Sequence, residues 1–222
     1  MLENKKAVIF DLDGTLADSM WVWPEVDLEF LGKRNLTVPE DLADAVEGMG
    51  YTEVAVYFKD RFNLEESVEE IKEIWTEMAL DCYRRRVPLK PGVKEFLAWL
   101  KEREFQIGVA SSNYIGLIEA VLESHQICSY FDVILTACDV KKGKPAPDVY
   151  LETARQLGVQ PEECLVFEDI CAGIRAGKAA GMDVCAVHDS FSVYQEKEKR
   201  SLADYYIHSY LEVISHQYEE LR

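Results

Sequence analysis

Positive charge is scarce in this sequence. Its 222 residues carry 24 Lys and Arg against 41 Asp and Glu, a formal net charge of −17. Such a field repels phosphate backbones and anionic bilayers, so neither nucleic acid nor a membrane is an expected partner. A small anionic ligand is admissible only beside a local cation or a metal ion. No CxxC pair occurs among the six cysteines, and most of them sit in apolar runs, where cysteine behaves as a small hydrophobe. A disulfide framework is therefore not expected. No apolar stretch approaches the roughly 18 residues of a membrane span. Met1-Leu2-Glu3-Asn4-Lys5-Lys6 leads into only a short apolar run before Asp11, which does not fit a signal peptide. Together these features predict a reducing, cytoplasmic setting. With only 12 Gly and 7 Pro, collagen-like and low-complexity classes are excluded, and 48% apolar residues exclude disorder.

Short apolar runs that end in polar residues recur at 6–10, 106–110, 132–135, 164–168 and 183–187, with a shorter one at 205–207. Each reads as a buried strand. Helical patterns separate them at 93–102, 114–125, 147–157 and 171–180; Val93, Phe96, Leu97 and Leu100 are an example of the spacing. The alternation predicts an α/β fold: a Rossmann-like parallel sheet covered by helices. Residues 16–87 interrupt it with helical spacing only. Leu28, Leu31 and Trp21 suggest one stripe, Val54, Val56, Phe58 and Phe62 a second, and Ile71, Ile74, Trp75, Met78 and Cys82 a third. The expected organisation is a core of residues 1–15 and 88–222 with an inserted all-helical domain at 16–87. Arg84-Arg85-Arg86 reads as a solvated hinge.

In open parallel sheets, ligands bind beyond the carboxyl ends of the strands. Polar residues gather there at four places: Asp11-Leu12-Asp13-Gly14-Thr15, Ser111-Ser112-Asn113, Lys142-Gly143-Lys144-Pro145-Ala146-Pro147-Asp148, and Glu168-Asp169. Carboxylates at such a rim suit a hard cation such as Mg²⁺, which keeps waters free for a phosphate. An aspartate can also attack phosphorus. Each segment alone has an ordinary reading as a turn, a helix cap or a surface lysine. Their conjunction at successive strand ends carries the weight.

With these motifs the chain resembles the haloacid dehalogenase-like hydrolase superfamily over essentially its whole length. Asp11-Leu12-Asp13-Gly14-Thr15-Leu16-Ala17-Asp18-Ser19 looks like the first motif and Ser111 like the second. Gly143-Lys144-Pro145-Ala146-Pro147-Asp148 looks like the third, and Phe167-Glu168-Asp169 with its glycine-rich continuation like the fourth. The helical insert is similar to the cap of the branch containing β-phosphoglucomutase and phosphoglycolate phosphatase. The resemblance implies a role for each residue. Asp11 is the nucleophile and a Mg²⁺ ligand. Asp13 is the acid–base residue and lends its carbonyl to the metal. Ser111 and Lys144 bind the transferring phosphoryl group. Asp169 ligates Mg²⁺, Glu168 completes the acidic site, and amides near Leu12 and Ser112 add phosphate donors. A second aspartate two residues after the nucleophile argues against dehalogenation, which has no poor alkoxide to protonate.

Departures from the mutase pattern favour a phosphatase. Trp23 stands where the mutase carries a cap histidine, and Gly48-Met49-Gly50-Tyr51-Thr52 lacks the mutase's cap arginine. Holding a bisphosphate by its second phosphate calls for cap cations. The expected activity is Mg²⁺-dependent hydrolysis of a small phosphorylated metabolite, a sugar or polyol phosphate, through an aspartyl phosphate. A hexose-phosphate mutase and a non-catalytic phosphosugar-binding protein are the alternatives. Trp23, Gly48, Met49 and Tyr51 are the expected specificity residues in the cap, with Trp21 as a further lining residue. A monomer or weak homo-oligomer is expected.

Overall fold

Seven strands form a single sheet in the order β3-β2-β1-β4-β5-β6-β7 in the computed structural model, which describes residues 1–222. They are β1 (Ala7–Phe10), β2 (Gln106–Ser111), β3 (Val133–Thr136), β4 (Cys164–Glu168), β5 (Asp183–Val187), β6 (Tyr205–Ile207) and β7 (Glu219–Glu220). All neighbours pair in parallel except β6 with β7. The first six match the apolar runs of the sequence to within a residue at each end. The two-residue β7 carries only exposed glutamates and has no apolar signal.

β1 is central because all four of its residues are buried. Its side chains alternate between faces, as a strand requires. Val8 and Phe10 enter one core with α5 (Val93–Lys101), α6 (Ile115–Ser124) and α10 (Tyr210–Ile214). Ala7 and Ile9 enter another with α7 (Asp148–Leu157) and α8 (Cys171–Ala179). Phe10 stacks on Phe167 at 5.2 Å and lies 5.8 Å from Tyr210, whose hydroxyl donates to the Thr15 carbonyl at 3.2 Å. The C-terminal helix thereby props the loop that follows β1.

Between β1 and α5 lie four helices and no strand: α1 (Val22–Gly32), α2 (Leu42–Val46), α3 (Tyr51–Phe62) and α4 (Val68–Arg85). α4 starts at a capping box: Glu70 N–H donates to Ser67 Oγ at 3.2 Å, and Ser67 N–H donates to the Glu70 carboxylate at 2.7 Å. The third predicted stripe is largely correct, with Ile71, Trp75 and Cys82 buried. The first two are correct only in part: Leu31 and Phe58 are buried, but Leu28 and Val56 are exposed, and the remaining buried positions are Val22, Val26 and Phe30 on α1 and Tyr51 and Ala55 on α3. Leu28 lies two residues past Val26, about 200° round the helix, on the water side.

The two connections to the insert run side by side. Asp18 N–H donates to the Pro88 carbonyl and Lys90 N–H to the Leu16 carbonyl, each at 2.9 Å. Arg84, Arg85 and Arg86 are exposed, and Arg86 pairs with Glu25 at 2.9 Å. They stay at the surface, as a solvated hinge would.

Candidate active site

The carboxyl ends of β1, β2 and β4 adjoin in the centre of the sheet, so the polar residues that follow them converge. The loop before α7 brings Lys144 into the same place. Its Nζ donates to Asp11 Oδ1 at 2.7 Å and to Glu168 Oε1. Burial opposes the lysine's charge, but Asp11 and Glu168 outweigh it and hold its pKa above the ordinary range. Burial pushes the Asp11 carboxyl up to about 7; Lys144 opposes this, while Glu168 and Asp13 reinforce it.

Asp11, Glu168 and Asp169 each offer a carboxylate oxygen within 4.8 Å of the others, and all three are buried. Glu168 is fully engaged by the protein. Its Oε1 also accepts from Tyr150 OH at 2.7 Å, and its Oε2 accepts from the Asp169 N–H at 3.1 Å. Asp169 differs. Its Oδ1 accepts from Thr15 Oγ1 at 3.2 Å, but its buried Oδ2 has no partner. Burial, with Glu168 and Asp11 behind it, raises the Asp169 pKa well above the usual carboxylate range. Three clustered carboxylates beside one ammonium, with one oxygen orphaned, fit a hard divalent cation.

Asp13 sits in a cradle of donors. Its Oδ1 accepts from Ser19 Oγ at 2.5 Å and from Tyr83 OH; its Oδ2 accepts from Asn113 Nδ2 at 2.8 Å. Burial raises its pKa, and the three donors work against that rise. Ser111 Oγ accepts the Asn113 N–H at 3.1 Å, which leaves its own proton free to donate. The amides of Leu12 and Ser112 take no partner within the protein. The rim thus presents a lysine-paired carboxylate, a shielded second carboxylate, a cation, a hydroxyl and free N–H groups to one cavity. That set suits transfer of a phosphoryl group.

The cavity, of about 360 Å³, lies between the rim and the helical insert. Asp11, Asp13, Ser111, Ser112, Lys144, Glu168 and Asp169 line it on the rim side, and Trp23, Gly48, Met49 and Tyr51 on the insert side. Trp21 does not line it. Its Nε1 donates to the Asp18 carbonyl at 3.0 Å, and its ring lies under the Arg86 guanidinium at 4.7 Å. Tyr51 contributes its ring while its hydroxyl bonds the Lys72 carbonyl at 3.1 Å, away from the rim.

Sequence reasoning missed the residues that hold the rim in shape: Tyr83, Asn113, Ser19 and Tyr150. Asn113 and Ser19 stood inside quoted motifs. Tyr83 and Tyr150 lie on helices and carried no signal. Two glycines also matter. Gly48 has φ +77°, and a Cβ there would come 2.9 Å from the Lys144 carbonyl, so a bare Cα lets the insert touch the rim. At Gly173 a Cβ would overlap the Glu168 carboxylate. Gly173→Ala is therefore expected to displace Glu168 and, through it, Lys144. Turnover should fall about tenfold or more, and the melting temperature by about 5 °C, as for an overpacked core. Calorimetry and steady-state kinetics on the variant check this; values like those of the wild type would show that Glu168 is not held as described.

Residues 8–187 match the sequence model of the haloacid dehalogenase-like hydrolases. The chain is 33% identical over 180 residues to hexitol phosphatase B of Escherichia coli (strain K12), covering 79% of this chain and 80% of that one. It is 32% identical over 187 residues to a fructose-1-phosphate phosphatase of the same organism, covering 84% and 98%. In fold it is similar to CbbY from Rhodobacter sphaeroides in complex with phosphate, with a TM-score of 0.84, 24% identity and coverage of 94% and 96%. It is similar also to β-phosphoglucomutase from Clostridium difficile, with a TM-score of 0.79, 24% identity and 96% of each chain covered.

Proposed function

The chain belongs to the haloacid dehalogenase-like hydrolase family, and from that premise we propose that it is a Mg²⁺-dependent phosphatase of small phosphorylated metabolites, sugar or polyol phosphates. The observation that carries this reading is the orphaned Oδ2 of Asp169 among the carboxylates of Asp11 and Glu168, with Lys144 beside them. Relatives that are named as phosphatases of hexitol phosphates and of fructose 1-phosphate support the substrate class.

In the proposed reaction Asp11 attacks phosphorus, the bond from phosphorus to the leaving oxygen breaks, and Asp13 gives that oxygen its proton. Asp13 then takes a proton from water as the water attacks the aspartyl phosphate, which frees Asp11 and releases phosphate. Ser111 and the Leu12 and Ser112 amides hold the phosphoryl oxygens, and Lys144 balances their charge. Asp11, Asp169 and the Asp13 carbonyl would hold Mg²⁺, with Glu168 next to them. When bound, the ion offsets repulsion between two anions. We read residues 16–87 as a cap over a core of 1–15 and 88–222. Six unpaired cysteines support a reducing, cytoplasmic setting, and no helix is long and apolar enough to cross a membrane.

The mutase alternative is disfavoured because Lys144 is the one lysine or arginine that lines the cavity, and Asp11 and Glu168 already pair with it. A sugar 1-phosphate should therefore yield free phosphate rather than its 6-phosphate isomer. Hydrolysis of p-nitrophenyl phosphate should need Mg²⁺ and stop with chelator. Ca²⁺ should inhibit, since its larger and looser shell disfavours in-line attack. Full activity in excess EDTA, after verified metal removal, would sink the proposal.

A further inference from the structure

The loop between β5 and α9 (Glu196–Leu202) has no part in the reaction described so far, yet it borders the cavity on the core side. Several buried polar groups fix its course. Asp189 is fully buried, pairs with Lys90 at 2.7 Å and accepts the Phe191 N–H at 2.8 Å. The buried Ser192 donates to the Asp169 carbonyl at 2.9 Å and accepts from the buried Lys199 Nζ at 3.0 Å. Gln195 accepts the Cys171 N–H at 2.8 Å through its Oε1, and its Nε2 donates to Glu47 of the insert at 2.5 Å. The loop is thus anchored beside Asp169 at one point and against the insert at another.

Between these anchors the loop shows three large apolar side chains to water: Phe191 at 45% exposure, Val193 at 50% and Tyr194 at 66%. One exposed hydrophobe needs no explanation, but three within four residues, on a loop pinned by buried polar bonds, do. Phe191 and Tyr194 line the cavity and Val193 does not. The Tyr194 hydroxyl donates to Glu47 at 3.4 Å and accepts from Gln195 Nε2 at 3.1 Å, which holds its ring at the seam between core and insert. Exposure also gives the cavity a direction. Its floor, at Asp11, Ser111, Lys144 and Asp169, is buried, and its mouth is where Phe191 and Tyr194 meet water. A phosphoryl group held at the floor therefore sends its leaving group out past these two rings.

Neither ring offers a charge to a phosphate, and the Tyr194 hydroxyl is already engaged. Their partner is the part of the substrate beyond the phosphoryl group. Ring faces take C–H groups by dispersion and apolar contact, and that contact grows with the number of carbons covered. Asp44 and Glu47 line the same cavity and repel a second anionic group. We infer that Phe191 and Tyr194 are specificity residues supplied by the core, which hold the far carbons of a long, uncharged leaving group in the phosphatase proposed above, a reading on which this inference rests. Discrimination is then shared between core and insert.

The test compares kcat/KM for a hexitol 6-phosphate with that for glycerol 3-phosphate, which lacks the far carbons. Phe191→Ala and Tyr194→Ala should each lower the hexitol-to-glycerol ratio about tenfold. Phe191→Tyr and Tyr194→Phe keep the rings and should retain the ratio. Val193→Ala, on the same loop but outside the cavity, should leave both esters unchanged. All three side chains are exposed, so melting temperatures should stay within about 2 °C of wild type. An unchanged ratio in either alanine variant would overturn the inference. Equal losses on both esters would overturn it as well, since the loop would then only shape the rim. A wild type that prefers the glycerol ester, or that cleaves p-nitrophenyl phosphate in Mg²⁺ but neither of these esters, would overturn it while leaving a Mg²⁺-dependent phosphatase in place. A wild type that hydrolyses none of the three in Mg²⁺ would overturn the phosphatase reading itself, and this inference with it.

Discussion

Asp11→Asn is expected to abolish turnover of every phosphate ester, by about 10⁴-fold or more, while leaving the protein at least as stable as before. An amide is a poor nucleophile, and two of the neighbouring carboxylates are already engaged. Glu168 is held by Lys144 and Tyr150, and Asp13 by Ser19, Tyr83 and Asn113. The substitution is isosteric and removes one of three buried carboxyl groups that lie together; burial and then the neighbouring carboxyls raise the pKa of Asp11 and of Asp169. Repulsion within the cluster should fall, although Lys144 loses one partner. Activity lost with no drop in melting temperature separates a chemical defect from a folding one. Residual turnover near 1% of wild type would exclude Asp11 as the attacking group.

The Asp13→Asn variant should divide substrates by their leaving groups. General acid catalysis is typically worth 10²–10⁴-fold, and it matters most where the leaving oxygen is a poor one. A hexitol phosphate should lose that full factor. p-Nitrophenolate departs without a proton, so the first half of the reaction should survive. The second half needs Asp13 to activate water, and it should stall. Rapid mixing should therefore show a burst of about one nitrophenolate per enzyme followed by slow turnover, the kinetic sign of an accumulated covalent intermediate. The three donors around Asp13 orient its carboxyl, and burial raises its pKa toward a proton-carrying form. Equal losses on both esters, with no burst, would contradict this role.

The rim was legible because each strand there is an apolar run that stops at a charged or hydroxylated residue. Asp11, Ser111 and Glu168 mark the change from buried sheet to site within one or two positions. The supports of the rim were not legible. Tyr83 comes from the far end of α4 and Tyr150 from α7, and nothing in the local pattern separates a tyrosine that holds a carboxylate from one that fills a core. The helical insert was legible as helical, and in phase on α4, but only partly so on α1 and α3. α1 and α3 are short, and a stripe built on Leu28 or Val56 satisfies the spacing as well as the correct one does. Trp75 is instructive. It belongs to the apolar stripe and is buried as expected, yet its indole N–H is the part the packing leaves unpaired.

The backbone N–H of Tyr51 donates to the Ser112 carbonyl at 2.9 Å, while the N–H of Ser112 itself is unclaimed. One residue of the rim therefore touches the insert through its carbonyl and can touch a phosphoryl group through its amide. In the proposed reaction the two contacts would be thermodynamically linked: a phosphoryl group that favoured the docked arrangement of Ser112 would favour the docked insert, and a docked insert would tighten phosphoryl binding by the same factor. Inorganic phosphate would then be a heterotropic effector of the insert's position as well as a product, and its departure and the reopening of the cavity would share a free energy.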